Sequence, residues 1–158
     1  MKKVLLSDGT AAVITPASAD DTEQVAAAEK ICFADPWQDA DIAYALAGGC
    51  YDAVTARIGG TLAGYGFMLT VADEATLANI AVLPEFRKRG VGRAMALRLL
   101  GTCRERGAAV CFLEVRRSNA AARRLYASLG FDEISVRKGY YHDPTEDAVI
   151  MKKELCSE

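Results

Sequence analysis

The chain has 158 residues, 51% hydrophobic and 25% charged, enough for one domain with a substantial core, and the expectation is a single domain over 1–158. A formal net charge of -2 excludes the global basic field that holds nucleic acid or an anionic membrane. Five cysteines (Cys32, Cys50, Cys103, Cys111 and Cys156) never spaced C-x-x-C argue against a disulfide framework or zinc site, and His142, the only histidine, leaves little for a metal centre or a Ser-His-Asp triad.

Residues 11–15 read as a short strand. Ser18-Ala19-Asp20-Asp21 resembles a capping box, and a helix follows through Val25, Ala28 and Ile31 until Asp35-Pro36-Trp37 breaks it. A second helix is predicted over 39–47, stopped by Gly48-Gly49. Residues 51–58 alternate as a strand, Gly59-Gly60 makes a hairpin turn, and strands follow over 61–71 and 74–82. A turn with Gly90 and Gly92 opens a helix over 91–105, in which Val91, Met95, Leu99 and Cys103 share one face. Residues 109–116 form a strand apolar enough to be central. Asn119 caps a helix running to Leu129, Gly130 takes the position after its end, and strands are predicted over 131–137 and 148–153. The order β-α-α-β-β-β-α-β-α-β-β implies an α/β fold with a mixed, mostly antiparallel sheet of about seven strands and helices on both faces. No apolar run reaches the ~20 residues of a membrane span, and the stretch after Lys2-Lys3 is too short for a signal peptide, so the expected location is the cytoplasm.

Arg87-Lys88-Arg89-Gly90-Val91-Gly92-Arg93 joins a strand to a helix start. Unpaired N–H groups there, with the positive end of the helix dipole, form an anion site. Position 95 is Met95, so the third glycine of the dinucleotide fingerprint is absent, as is the G-x-x-x-x-G-K-[ST] loop of nucleoside triphosphatases. Glu114 lies in an apolar strand on the face of Phe112 and Arg116, opposite Cys111, Leu113 and Val115. Taken alone it reads as a carboxylate on a partly solvated face paired to an arginine, in preference to a catalytic group, and Tyr126 as a tyrosine at the edge of the core with its hydroxyl in water.

R-x-x-G-x-G at Arg87, Gly90 and Gly92 resembles the pyrophosphate-binding motif of the GNAT N-acetyltransferases, and Asn119 to Phe131 resembles the segment after that family's fifth strand. More narrowly, Cys32-Phe33-Ala34-Asp35-Pro36-Trp37, Asp73-Glu74-Ala75-Thr76-Leu77 leading into Asn79-Ile80-Ala81-Val82, Leu113-Glu114-Val115-Arg116, and Tyr140-Tyr141 with 146–151 resemble the RimI-like branch, the ribosomal-protein-alanine N-acetyltransferases. The likeness spans about 31–151 and is weak before it, where the N-terminus is slightly longer than that branch leads one to expect.

The resemblance implies acetyl-coenzyme A as co-substrate. Backbone of Ile80, Ala81 and Val82 would pair with the pantetheine arm. Arg87, Lys88, Arg89, Gly90, Val91, Gly92 and Arg93 would surround the pyrophosphate, and Asn119 would contact the coenzyme beyond its capping role. Glu114 would be the general base, its pKa raised by apolar neighbours, and Tyr126 the general acid. The implied acceptor is the N-terminal alanine of a small-subunit ribosomal protein. Asp35, Trp37, Tyr140 and Tyr141 in loops would line its groove, and Asp35, Asp39, Asp41, Asp143, Glu146 and Asp147 would make the groove acidic for a basic tail. A small-molecule amine or a lysine side chain as acceptor, and a non-catalytic acyl-coenzyme-A-binding module, are the alternatives. Neither nucleic acid nor membrane is an expected partner, and the residues assign no oligomeric state.

Overall fold

The computed structural model describes residues 2–155, so Cys156 lies outside the described part. In chain order the elements are β1 (Lys2–Leu5), β2 (Ala11–Pro16), α1 (Thr22–Cys32), α2 (Asp39–Leu46), β3 (Tyr51–Ile58), β4 (Thr61–Val71), β5 (Glu74–Val82), α3 (Val91–Glu105), β6 (Val110–Arg116), α4 (Ala120–Ser128), β7 (Asp132–Tyr141) and β8 (Glu146–Glu154). The predicted mixed α/β architecture is present, with eight described strands in place of about seven. The added strand is β1, a four-residue edge strand paired antiparallel with β2 and largely exposed, too short to carry an alternating pattern. Ser18 and Asp21 do form a reciprocal capping box, but it closes a single 3-10 turn over 19–21 that precedes α1. Ile31, expected on the packed face of that helix, is 65% exposed, and Glu29 is buried there instead.

The strands form one sheet in the order β1-β2-β3-β4-β5-β6-β8-β7. Every pairing is antiparallel except β5 with β6, which α3 connects. Alternation along β4 divides its side chains between two cores. Tyr65 and Phe67 pack with Val25 of α1 and Ile42 of α2, whereas Met68 packs with Met95 and Leu99 of α3. The predicted face of α3 is the packed one: Val91, Met95, Leu99 and Cys103 are all buried. Gly64 allows this close approach, since a Cβ there would lie 2.6 Å from the Ala81 carbonyl oxygen and 2.8 Å from Met95 Cε. Among the described residues no helix is long and apolar enough to cross a membrane.

The feature that positions the functional groups is a parting of β5 from β6. Their parallel pairing covers Glu74↔Val110 to Leu77↔Leu113, although β5 continues to Val82 and β6 to Arg116. The parting coincides with a register shift against β4, where Met68 faces Leu77 and Phe67 faces Asn79, leaving Ala78 as the extra residue. A bulge of this kind bends its strand and increases the local twist.

Candidate active site

Beyond the parting, β5 has β4 on one side and an open edge on the other. Leu83 N–H donates to the Ala63 carbonyl at 2.8 Å, so by antiparallel alternation Ala81 points its backbone groups toward β4 while Ile80 and Val82 point theirs to the open edge. This is a strand-shaped slot for an extended, amide-bearing ligand. Its far end is partly closed, because Arg87 Nε donates to the Val82 carbonyl at 2.8 Å.

The open edge leads to the N-terminus of α3. Gly90 caps that helix with φ of 97° and supplies no side-chain hydrogen bond. An L side chain rarely adopts that backbone conformation, which accounts for glycine here. Ala94 N–H closes the first intrahelical bond to the Gly90 carbonyl at 3.1 Å, so the amides of Val91, Gly92 and Arg93 precede the ladder and are available to an anion. The first turn contains no acidic residue to compete for them. Lys88 (φ of 65°) lies within the turn.

Three of the basic side chains expected around a pyrophosphate also brace the protein. Arg87 holds the end of β5, Arg89 pairs with Asp8 at 3.6 Å while stacking on Phe86, and Arg93 donates to Ser128 Oγ at 2.9 Å. Backbone amides, more than guanidinium groups, are therefore what the loop presents. Asn119 caps α4 by accepting from Ala122 N–H through Oδ1 at 3.1 Å, which leaves its amide nitrogen for a ligand.

Glu114 and Tyr126 belong to opposite faces of the sheet. Glu114 projects from the face of β6 opposite Leu113 and Val115, as alternation required. The expected apolar surroundings are not found. Arg137 Nη1 is 3.5 Å from Glu114 Oε1, and the Tyr140 phenol donates to the same carboxylate, a bond that raises the pKa of Tyr140. β7 is paired beyond β8, and its length carries these polar groups over the end of β6. Tyr126 is on the other side, 6% exposed in the α3 core and edge-on to Phe131 with 5.9 Å between ring centroids. It is not the water-exposed tyrosine at the core edge. Burial pushes its phenol well above the usual tyrosine range, so it carries its proton at neutral pH and has one to give.

On the acceptor side, Asp35 is exposed and Trp37 half-buried in the loop between α1 and α2. Trp37 stacks on Phe67 at 5.4 Å and 18° and meets Tyr51 edge-on. Tyr140 and Tyr141 are corrected from loop to strand: they end β7, perpendicular to one another at 5.1 Å. The Arg116 guanidinium lies 4.5 Å from the Tyr141 ring centre and donates to the His142 and Pro144 carbonyls and to Glu146, which fixes the β7–β8 turn. The expected acidic wall is also reduced. Glu146 is held by Arg116 and Ser118 N–H, Asp147 by Arg117, Lys138 and Gly139 N–H, and Asp39 by Lys30. Asp35, Asp41 and Asp143 are the exposed carboxylates that remain.

Sequence reasoning missed Glu29. It is 1% exposed and accepts from Tyr65 Oη at 2.5 Å, Asn79 Nδ2 at 2.9 Å and Trp37 N–H at 2.9 Å. The available signal was its place four residues after Val25, on the buried face of α1.

Residues 21–131 match the model of the acetyltransferase (GNAT) family. A [ribosomal protein bS18]-alanine N-acetyltransferase of Escherichia coli K12 is 49% identical over 94 residues, 58% of this chain and 64% of that relative, so the match spans just under two thirds of its length. A putative [ribosomal protein bS18]-alanine N-acetyltransferase of Bacillus subtilis 168 is 34% identical over 143 residues, covering 90% of this chain and 95% of the relative. The crystal structure of the Escherichia coli ribosomal-protein-S18-alanine N-acetyltransferase superposes with a TM-score of 0.86 at 37% identity, over 93% of this chain and 96% of that one. With the slot along β5, the amides at the start of α3 and a family model reaching from the first helix past α4, this chain belongs to the GNAT acetyltransferase family.

Proposed function

We propose that the chain is an acetyl-coenzyme-A-dependent N-α-acetyltransferase whose acceptor is the N-terminal alanine of a small-subunit ribosomal protein. The observation that carries the reading is the open edge at Ile80 and Val82 running into the free amides of Val91, Gly92 and Arg93, with Glu114 on the part of β6 beyond the parting and Tyr126 in the core on the other face of the sheet. The pantetheine arm takes the slot, its amides pairing with Ile80 and Val82 as a further strand would, while the backbone of Ala81, expected to share in that pairing, is turned to β4. The pyrophosphate takes the helix start, with Lys88 adding charge and the Asn119 amide nitrogen a further donor. The likeness to the two bacterial alanine N-acetyltransferases supports the choice of acceptor and, with it, a cytoplasmic location.

The chemistry follows from these groups. An α-amine has a pKa of about 7.7–8.0, so much of it is protonated at neutral pH and must lose a proton before attacking the thioester carbon. Glu114 takes that proton, directly or through a water. Arg137 and Tyr140 hold its carboxylate in place and leave it oxygen lone pairs for the work. The amine nitrogen bonds to the carbonyl carbon, charge develops on the carbonyl oxygen near the Val82 amide, and the carbon–sulfur bond breaks. Tyr126 donates its proton to the departing thiolate. Attack is direct in a ternary complex, since none of the cysteines has a neighbouring base in sequence.

The test is release of coenzyme A thiol with an alanine-led peptide copied from a ribosomal protein N-terminus, run beside the same peptide with a blocked amine. Turnover of the first and none of the second is expected. Turnover of polyamines or internal lysines in its place would reassign the acceptor, and tight coenzyme binding without turnover of any amine would leave a binding module.

A further inference from the structure

Glu29 belongs to none of the steps above, and its surroundings are unusual for a carboxylate. It is buried in the α1–α2 core among Val25, Ile42 and Phe67, and no lysine or arginine of the described residues pairs with it. Burying a carboxylate is costly unless it is well hydrogen-bonded, and an apolar side chain of similar volume would fill such a position more cheaply. Three donors from three separate segments satisfy it: Tyr65 from β4, Asn79 from β5 and the backbone of Trp37 from the loop between α1 and α2. Asn79 is the first residue past the bulge at Ala78, where β5 turns away from β6. Trp37, held at its amide by Glu29, lays its indole on Phe67.

We propose that Glu29 is a positioning residue that sets acceptor affinity. Through one carboxylate it fixes the Trp37 loop, the wall of the acceptor groove, to the strand that carries the thioester slot. The inference rests on the acceptor reading above. The tether acts on the α1–α2 face of the sheet, whereas the pyrophosphate cradle belongs to α3, which packs on the other face. Acceptor and coenzyme binding are thus separable through this residue.

Glu29→Gln isolates the tether. The glutamine oxygen still accepts from Tyr65 and Asn79, but its amide nitrogen then confronts the Trp37 N–H, donor against donor. Loss of that bond and the resulting mismatch predict a peptide KM raised about tenfold, with kcat changed less than about threefold. Coenzyme A affinity by calorimetry stays at the wild-type value. Trp37 is the only tryptophan, so its fluorescence reports the loop directly, and quenching by acrylamide increases in the variant. A peptide KM at the wild-type value, an unchanged quenching constant, or a loss of affinity shared equally by coenzyme A overturns the proposal. Should Glu29→Gln fail to fold, Asn79→Ala removes one donor from the same carboxylate and carries the same split with a smaller rise, about threefold. A wild-type enzyme that turns over no peptide amine refutes the acceptor reading and this inference with it. A wild-type enzyme that does, beside a Glu29→Gln enzyme with unaltered peptide KM, refutes this inference alone.

Discussion

Gly92→Ala separates stability from coenzyme binding at the start of α3. Gly92 is helical, and a Cβ built there lies 3.6 Å from Leu125 Cδ2 and 3.6 Å from Val82 Cγ2, ordinary van der Waals contact. The fold therefore accommodates alanine, which is favoured over glycine in a helix interior by up to about 1 kcal/mol. For a chain of this size that raises Tm by roughly 2–4 °C at most, less so near a helix end. The same methyl lies between the end of β5 and α4, beside amides with no intrahelical partner. If the pyrophosphate docks on those amides, the methyl holds it off and weakens a charge-assisted hydrogen bond of about 1.5–3 kcal/mol, a loss of roughly 10–100-fold in affinity. Gly90→Ala gives the contrasting pattern. No atom lies within 4 Å of its would-be Cβ, so its cost is backbone strain at a φ of 97°, about 1–2 kcal/mol, and Tm falls. Differential scanning calorimetry and titration with coenzyme A measure both quantities. A Gly92→Ala protein that binds coenzyme A within twofold of wild type, with Tm unchanged or raised, refutes docking at the helix start.

Glu114→Gln is expected to remove the acidic limb of the kcat/KM–pH profile, and a retained limb would dismiss the carboxylate as the base. Tyr126→Phe should slow turnover roughly 10- to 100-fold while leaving coenzyme A affinity intact, and full activity in the double variant would discard both roles. Alkaline stability has a defined sign. Burial raises the phenol pKa of Tyr65, Tyr126 and Tyr141 above the ordinary 10.0, that of Tyr141 to about 12. Their contribution is complete below about pH 10, where the unfolded chain also keeps its protons. It declines as pH rises toward the folded values, because only the unfolded phenols then ionise. Urea midpoints should therefore be insensitive to these groups at neutral pH and drop above about pH 10. Ionisation of the three rings near their ordinary pKa in the still-folded protein, followed by ring-resolved NMR, would contradict this.

What the sequence made legible was what local periodicity carries. The strands β3 through β6, the packed face of α3, the Gly59-Gly60 turn and the cap at Asn119 all depend on residues near one another in the chain, and each forms as read. The features missed depend on distant partners. β1 is held to β2 by pairing, not by its own four residues. β7 extends to Tyr141 across register shifts, with nine of its ten residues exposed, so no apolar alternation announces it. The acidic residues at 146 and 147 read as a free wall because their arginine and lysine partners lie in other segments. Nothing near Glu29 in the chain singles it out, because each of its three donors is at least eight positions away.

The bulge at Ala78 gives the proposed base and acid, which lie on opposite faces of the sheet, a route to one thioester. Side chains alternate across a strand, and Glu114 shares a strand with Leu113 and Val115, whose face packs in the core that contains Tyr126. In an unbroken sheet the backbone layer would keep that carboxylate and that phenol apart. Continued parallel register from Leu77↔Leu113 would bring Ala78 opposite Glu114 and Ile80 opposite Arg116, and the open edge would be consumed by β6. One extra residue in β5 prevents this. It displaces the strand after its last bond with β6, and Glu29 grips Asn79 immediately beyond. The resulting gap gives the slot an opening on both faces of the sheet, so a thioester held along β5 can meet a proton acceptor on one side and a donor on the other. The cost is a short stretch of unpaired strand backbone, which the proposed pantetheine arm would pair.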